Sequence, residues 1–137
     1  MAAPVECHTP GGRLQVKIAK NLLTRARGLL FAPPLAQDEA LLIAPCSSIH
    51  TFAMRYPIDV IFLDRRARVV RVFPRVPPGR LRFGWGAAAV LELRAGQAAR
   101  HGLRAGVELQ SLCSSQRPAW SGFEPRSIHA PETAPGP

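Results

Sequence analysis

Alternating apolar and polar positions along the chain predict short β-strands separated by turns rich in Pro and Gly. Residues 14–18, Leu-Gln-Val-Lys-Ile, alternate with a period of two, which is typical of a strand with one buried face. Residues 58–63 are apolar except for Asp59, so this strand is expected to be covered on both faces. A turn at 64–67 then leads to a returning strand at 69–73, which Pro74 is expected to end.

Weaker patterns predict the remaining elements. Three further strands are expected, at 41–44, 89–93 and 107–112. Two short helical stretches are expected, one from Asn21 or Thr24 to about Phe31 and one at 98–103. The segment 46–57 has no clean period and is expected to be a structured loop or edge, and prolines and glycines at 77–86 mark a long connection.

About six strands with one or two short helices predict a mainly β fold, with α+β at its margin. The architecture is expected to be a compact β-sandwich or a partly open barrel. The 137 residues fit one domain with a core of its own. We expect a flexible N-terminal arm at 1–12, a single globular domain at 13–113, and a Pro-rich disordered tail at 114–137.

The formal net charge of +9 raises nucleic acid as a partner, but the distribution of charge does not support it. The basic residues are nearly all Arg and are scattered, and neither an RNA-binding aromatic pattern nor a helix-turn-helix signature is present. No apolar run approaches the roughly 18–20 residues that span a bilayer. The first twenty residues also lack the apolar segment of a secretory signal, so a cytoplasmic protein is expected.

The three cysteines, Cys7, Cys46 and Cys113, are odd in number and far apart. Without a Cys-x-x-Cys pair, neither a zinc ribbon nor a thioredoxin-like site is predicted. A metal site at Cys46 and His50 would need two further ligands, and the other candidates are remote in sequence. We therefore predict no metal and no cofactor.

The densest chemistry lies at 46–64, where His50, Arg55 and Asp59 recur at short intervals. A carboxylate at the mouth of a buried strand needs a cation or several hydrogen-bond donors, and Arg55 is the nearest candidate for Asp59. Three interpretations stay open: a structural clamp, a pocket for a polar or anionic ligand or a partner's loop, and catalysis. No nucleophile–base set is recognisable, so no catalytic residue is assigned.

Four residues around this cluster admit two interpretations each. Met54 and Phe52 are expected in the core beside it rather than in a binding role. Glu92, between Leu91 and Leu93, either faces solvent or supplies a second carboxylate opposite Arg55 or Arg25. Trp85, in a loop flanked by glycines, is either a lid over the core or an exposed anchor for a partner.

Residues 46–64, Cys-Ser-Ser-Ile-His-Thr-Phe-Ala-Met-Arg-Tyr-Pro-Ile-Asp-Val-Ile-Phe-Leu-Asp, closely resemble the central signature of a prokaryotic family, domain of unknown function 192. Residues 25–30 resemble its Arg-x-x-Gly-Leu-Met block, and residues 90–96 resemble its Leu-Glu-Leu-x-x-Gly block. Two departures are visible, since Leu30 stands for the usual Met and Val107 follows Gly106 where an Asp is common. The three ordered blocks make the resemblance specific over about 13–112.

The resemblance implies a compact β-rich fold with a short helix, and it implies no established activity. By their positions in the family signature, His50, Met54, Arg55 and Asp59 are the best site candidates, and we add two neighbouring residues, Thr51 and Glu92. We expect a binding or accessory module that meets a protein partner or a small polar or anionic ligand at this polar cluster. The alternative is a hydrolase or transferase with Asp59 or His50 as general base, so enzyme activity stays an open question.

Overall fold

A computed structural model of the chain describes residues 4–19 and 33–109. Two predicted segments, the first helix and the Pro-rich tail at 114–137, lie outside the described residues. The described part contains eight strands: β1 (Val5–Thr9), β2 (Gly12–Ala19), β3 (Glu39–Ile43), β4 (Ser48–His50), β5 (Ile58–Leu63), β6 (Val69–Val76), β7 (Leu81–Phe83) and β8 (Ala89–Arg94). It also contains a short helix, α1 (Gln97–Arg100).

Six of these strands form one large sheet in the order β1-β2-β3-β8-β5-β6, and β4 pairs with β7 in a separate two-stranded sheet. The β2–β3 pair is parallel, whereas the other pairs of the large sheet are antiparallel. The prediction of a mainly β, sandwich-like fold is confirmed, and the sheets do not close into a barrel. Within the described residues, no helix has the length and apolar character needed to cross a membrane.

The large sheet is covered on both faces, as the apolar run of β5 predicts. On the first face, Ile61 and Leu63 pack with Leu91, Leu93 and residues around α1. On the second face, Val60 and Phe62 pack beneath the loop that holds Met54 and beneath β4. All six residues of β5 are buried, because each face of this strand has its own apolar layer.

Strand β1 lies in the segment that was expected to be a flexible arm, and this corrects the expectation. It pairs antiparallel with β2, from Val5 opposite Val16 to Thr9 opposite Gly12. Cys7 is fully buried beside Leu14, so this short strand contributes to the core. Its single buried cysteine and two polar neighbours form a pattern too short to identify a strand from the sequence.

Strand β6 does not end at Pro74, and this is a second correction. The register shifts from Ile58 opposite Val76 to Val60 opposite Phe73, so β6 has one extra residue opposite Asp59. This β-bulge contains Pro74, and Arg75 beside it has a φ of 49°. A proline without an N–H is accommodated on an edge strand at a bulge, because no ladder hydrogen bond is needed there.

The other departures from the predicted elements are smaller. The expected loop at 46–57 contains β4, and the long connection marked by prolines and glycines at 77–86 contains β7, each strand only three residues long. Of the strand expected at 107–112, the described residues show one bridge, between Arg68 and Glu108.

Candidate functional site

Asp59 is fully buried, and its hydrogen bonds come from the backbone. One carboxylate oxygen, Oδ1, accepts from the N–H of Arg75 at 2.8 Å, and the other, Oδ2, accepts from the N–H of Ala98 at 2.8 Å. Arg55 is exposed, and no ion pair joins it to Asp59. The expected Arg55–Asp59 pair is therefore wrong; two backbone donors satisfy the carboxylate that burial has stripped of water.

These two hydrogen bonds link three separate elements. Ala98 is in the first turn of α1, whose N-cap residue, Gly96, has no side chain to accept from the helix N–H groups. Asp59 supplies that acceptor from β5, and its other oxygen holds the bulge of β6 at Arg75. Asp59 therefore acts as a clamp between strand, bulge and helix. A side chain with no exposed surface cannot reach a substrate, so Asp59 does not fit the role of general base.

Glu92 and Asp59 point to opposite faces of the large sheet. In the β5–β8 register Asp59 lies opposite Leu93, whereas Glu92 lies opposite Val60, whose side chain belongs to the second face. Glu92 is 5% exposed, so the solvent-facing interpretation of this residue is wrong. Burial, followed by the charge of Glu92, raises the pKa of Tyr56 above its usual value, which places the phenol in the field of this carboxylate.

Thr51 is buried and joins two loops. Its hydroxyl donates to the carbonyl of Pro77 at 2.7 Å and accepts from the N–H of Arg80 at 2.9 Å. Its backbone oxygen accepts from the N–H groups of Met54 and Gly79. Thr51 therefore fixes the turn that precedes β7, and its place in the structure is that of an internal support.

The remaining predicted site residues divide between core and surface. Met54 is buried in the apolar layer of the second face, as expected. His50 and Arg55 are exposed. The imidazole of His50 stacks on Phe52 with ring centroids 5.2 Å apart, and Phe52 is 48% exposed rather than in the core. Of the predicted site residues, His50 and Arg55 are the two that are exposed to solvent.

Next to His50 lies an exposed set of large apolar side chains that we call the apolar face. It consists of Phe52, Leu81, Phe83 and Trp85. Leu81 lies opposite His50 and Phe83 opposite Ser48 in the β4–β7 pair, so both point to the outer side of this small sheet. Trp85, two residues after Phe83, is 91% exposed, so it does not form a lid over the core.

A groove of about 770 Å³ opens beside the apolar face. Residues 45–48 and 84–88 line it together with Arg65, and we call it the Trp85 groove. Its floor is close to the core because Gly84 lies against Phe62, where an added Cβ would come within 2.4 Å of the ring. A glycine is required at this point, and the backbone itself forms part of the groove.

Arginine dominates the surface carried by residues 45–88, which we call the β6 side. Residues 55–82 contain two acids, Asp59 and Asp64, against eight arginines: Arg55, Arg65, Arg66, Arg68, Arg71, Arg75, Arg80 and Arg82. Across residues 4–19 and 33–109, no ion pair includes any of these eight. Two of them instead stack on Phe73, with guanidinium carbons 4.3 Å and 5.4 Å from the ring centroid.

The sequence predicted two alternative roles for Trp85, a lid over the core or an exposed anchor. It did not predict that Phe52, Leu81 and Phe83 are exposed as well. The available signal was the run Leu81, Phe83 and Trp85, three large apolar residues at alternate positions in a Pro- and Gly-rich connection. Such spacing puts all three on one side of an extended chain. In the described part of the chain, no three His, Cys, Asp or Glu side chains lie close enough together to hold a metal ion.

The model of the DUF192 family, described as "Uncharacterized ACR", matches residues 5–111 of the chain. The chain belongs to this family. The match begins earlier than the resemblance, at residue 5, and so includes β1, and it covers every residue of the Trp85 groove and the apolar face.

The comparisons also give one curated relative and two solved structures. The UPF0127 protein PH1112 of Pyrococcus horikoshii is 43% identical over 63 residues, which are 42% of this chain and 53% of that protein, so the match spans about half the length of the relative. A protein of unknown function from Novosphingobium aromaticivorans has a TM-score of 0.67 at 26% identity, over 77% of this chain and 81% of its own. A putative transcription regulator from Sinorhizobium meliloti has the same TM-score at 22% identity, over 77% and 90%, and shows the fold alone.

Proposed function

We propose that this protein is a binding module that captures a segment of a partner protein on the apolar face and in the Trp85 groove. The observation that carries the proposal is the exposure of four large apolar side chains on and next to the β4–β7 pair, with Trp85 at 91% and in the lining of the groove. Exposed apolar residues are ordinary when scattered, but a group of them beside a groove is typical of an interaction site.

The support beneath this surface favours binding over a loose loop. Thr51 ties the turn before β7, and the N–H of Gly84 donates to the carbonyl of Ser47 at 2.9 Å. The inner side of the β4–β7 pair is anchored by Ile49 in the second apolar layer. Leu81 and Phe83 are therefore presented on a braced pair of strands, which lowers the entropy lost when a partner binds.

The residues of the polar cluster have two different roles in this proposal. Asp59 and Thr51 act from inside, by holding the bulge, the helix and the turn in place. His50 and Arg55 are the exposed members, and His50 stacks on Phe52 at the border of the apolar face. A ligand on the apolar face would meet His50 and not the buried carboxylate.

The proposal is tested by selecting displayed random peptides on the full-length protein and measuring the selected peptides by fluorescence anisotropy. We expect Phe83→Ser and Trp85→Ser each to weaken binding by roughly tenfold or more, because buried aromatic anchors dominate such interfaces. The matched control is His8→Ser, an exposed ring on β1 at the opposite edge of the large sheet.

The three variants are expected to have the same unfolding midpoint in denaturant as the wild type, because each substituted residue is exposed. Peptides that bind Phe83→Ser and Trp85→Ser as tightly as the wild type would place the binding surface elsewhere. Failure to enrich any peptide over an unrelated protein of similar charge would remove the proposal altogether.

A further inference from the structure

We infer that the segment captured in the Trp85 groove is acidic, with carboxylates that meet Arg65 and apolar side chains that rest on the apolar face. This inference rests on the proposed function and adds the chemistry of the partner. It follows from three properties of the described residues: the hydrogen-bonding groups that line the groove, the charge around it, and the aliphatic part of the face.

The lining of the groove offers donors because several of its acceptors are already occupied. The carbonyls of Ser47 and Ala88 accept backbone N–H groups, from Gly84 at 2.9 Å and Cys46 at 3.0 Å. The carbonyl of Ser48 accepts the Cys46 thiol at 3.0 Å. The side chains that line the same groove include the Arg65 guanidinium, the Trp85 indole and two serine hydroxyls. Guanidinium and indole N–H groups only donate, so the groove suits a ligand rich in acceptors.

The charge around the groove is positive and is not balanced within the fold. Arg65 belongs to the eight arginines of the β6 side that form no ion pair in the described part of the chain. Asp64, the acid next to it, uses its Oδ1 to accept the N–H groups of Arg66 and Arg68. An acidic segment approaching this side would be attracted over several ångströms and would then pair with Arg65 at close range.

Two other occupants fit less well. A second copy of the chain would bring a like net charge of +9 against the same surface, which opposes association. A nucleic-acid strand brings one negative charge per nucleotide and stacks its bases on flat rings. Only Arg65 among the described arginines lines the groove, so few phosphates would be neutralised there. The ring of Phe52 already stacks on His50 and Leu81 has no ring, so these two side chains of the apolar face offer little for bases to stack on. The apolar side chains of a peptide fit such a face better.

The test uses labelled peptides of about ten residues, roughly 33 Å when extended. One alternates Glu with Leu and Phe; a second replaces every Glu by Gln; a third keeps Glu and replaces the apolar residues by Ser. Anisotropy titrations at low and moderate salt compare these with an oligothymidylate of similar length. We expect the first peptide to bind at least about tenfold more tightly than the second and third, and to weaken as salt is raised.

Arg65→Gln is the matching change in the protein, with Arg13→Gln as control because Arg13 is equally exposed but lies on β2 and pairs with Glu6 at 3.7 Å. We expect Arg65→Gln to weaken the Glu peptide about tenfold and the Gln peptide hardly at all, whereas Arg13→Gln changes neither. If the Gln peptide binds as tightly as the Glu peptide, the acidic partner is wrong and the binding module stands.

If oligothymidylate binds more tightly than the Glu peptide in an Arg65-dependent way, the partner class is wrong. If the peptides bind but Phe83→Ser and Trp85→Ser change nothing, the failure lies with the proposed function itself. The Glu and Gln peptides therefore test the acidic character of the partner, whereas Phe83→Ser and Trp85→Ser test whether the apolar face binds a peptide at all.

Discussion

The two edges of the large sheet treat charge in opposite ways. At the β1 side, which comprises β1, β2, β3, Asp38 and His101, acids and bases are paired: Glu6 lies within 4 Å of His8 and Arg13, and Lys17 lies 3.6 Å from Glu39. At the β6 side, eight arginines face two acids, both of which are engaged by backbone N–H groups. One edge therefore pairs its charges within the fold, whereas at the other edge none of the eight arginines joins an ion pair within the described residues.

Buried polar groups differ between the sides as well. At the β1 side, His101 is 1% exposed and joins Thr9 Oγ1 at 2.8 Å to Asp38 Oδ1 at 3.1 Å, so three side chains from separate segments form one chain of hydrogen bonds. At the β6 side, Asp59 reaches only backbone N–H groups. Hydrogen bonds between side chains therefore brace the β1 side, whereas hydrogen bonds from two side chains, Asp59 and Thr51, to backbone groups brace the β6 side.

The largest loss of stability at the β6 side is expected for Asp59→Asn. Both carboxylate oxygens of Asp59 accept an N–H, so an amide would turn one acceptor into an NH₂ donor facing a backbone donor. We expect a loss of about 3–5 kcal/mol in the free energy of unfolding, from two charge-assisted hydrogen bonds and one buried donor left unsatisfied. Urea unfolding followed by circular dichroism measures it.

The matched control for this change is Asp64→Asn. Asp64 accepts both of its backbone N–H groups on one oxygen, Oδ1, and an asparagine carbonyl takes over that role. We expect a loss of less than about 1 kcal/mol. Equal losses for the two variants would show that the carboxylate of Asp59 is not the brace of the β6 side.

A smaller loss is expected for Thr51→Val, which keeps the side-chain shape and removes the hydroxyl. The carbonyl of Pro77 and the N–H of Arg80 would each lose a partner, at about 1 kcal/mol per hydrogen bond, or about 2 kcal/mol in all. Thr51→Ser keeps the hydroxyl and is the control. If Val and Ser have the same effect on the denaturation midpoint, packing and not hydrogen bonding holds the turn before β7.

Much of the fold can be predicted from the sequence, because a strand buried on both faces is a continuous apolar run. The strand at 58–63 was predicted at its observed bounds, since six residues with one polar exception allow no other element of that length. Strand β1 was missed because five residues with one buried cysteine carry little periodicity. The bulge of β6 was missed because Pro74 ends a regular strand and only the partner strand reveals the extra residue.

The candidate site was harder to predict for a specific reason. The sequence predicts that Asp59 needs a partner. Its donors are backbone N–H groups 16 and 39 residues away, and because every residue except Pro has a backbone N–H, no residue type marks these donors in the sequence. Arg55 was chosen because it is near in sequence. Glu92 was grouped with Asp59, yet the strand register separates them, since neighbouring positions in paired strands face opposite ways.

Cys7 offers a finer test of the β1 side. Burial, assisted by the charge of Glu6, raises the pKa of the Cys7 thiol to about 11 from an ordinary 9.0. The folded state then holds the proton that the unfolded state releases, so the stabilising contribution is complete below pH 9 and is lost as pH rises through 11. We expect a decline of up to about 1.4 kcal/mol per pH unit in that window.

Denaturation of wild type and Cys7→Ala at several pH values between 8 and 11 isolates this contribution, because the lysines and tyrosine titrate in both proteins. The wild type should lose its excess stability over the variant as pH rises. Parallel pH profiles would show that the Cys7 thiol ionises as easily in the folded protein as in the unfolded chain.

The smallest expected effect has opposite signs at the two edges. Glu6→Gln removes the partner of His8 and Arg13, and an exposed pair of this kind contributes about 0.2–1 kcal/mol. Arg66→Gln removes one of several neighbouring like charges that form no ion pair within residues 4–19 and 33–109, so stability should stay constant or rise slightly at low salt. Thermal unfolding at low and high salt measures both, and salt should diminish both differences. A loss of stability in Arg66→Gln as large as that in Glu6→Gln would mean that the arginines of the β6 side serve the fold, and their availability to an acidic partner would then have to be reconsidered.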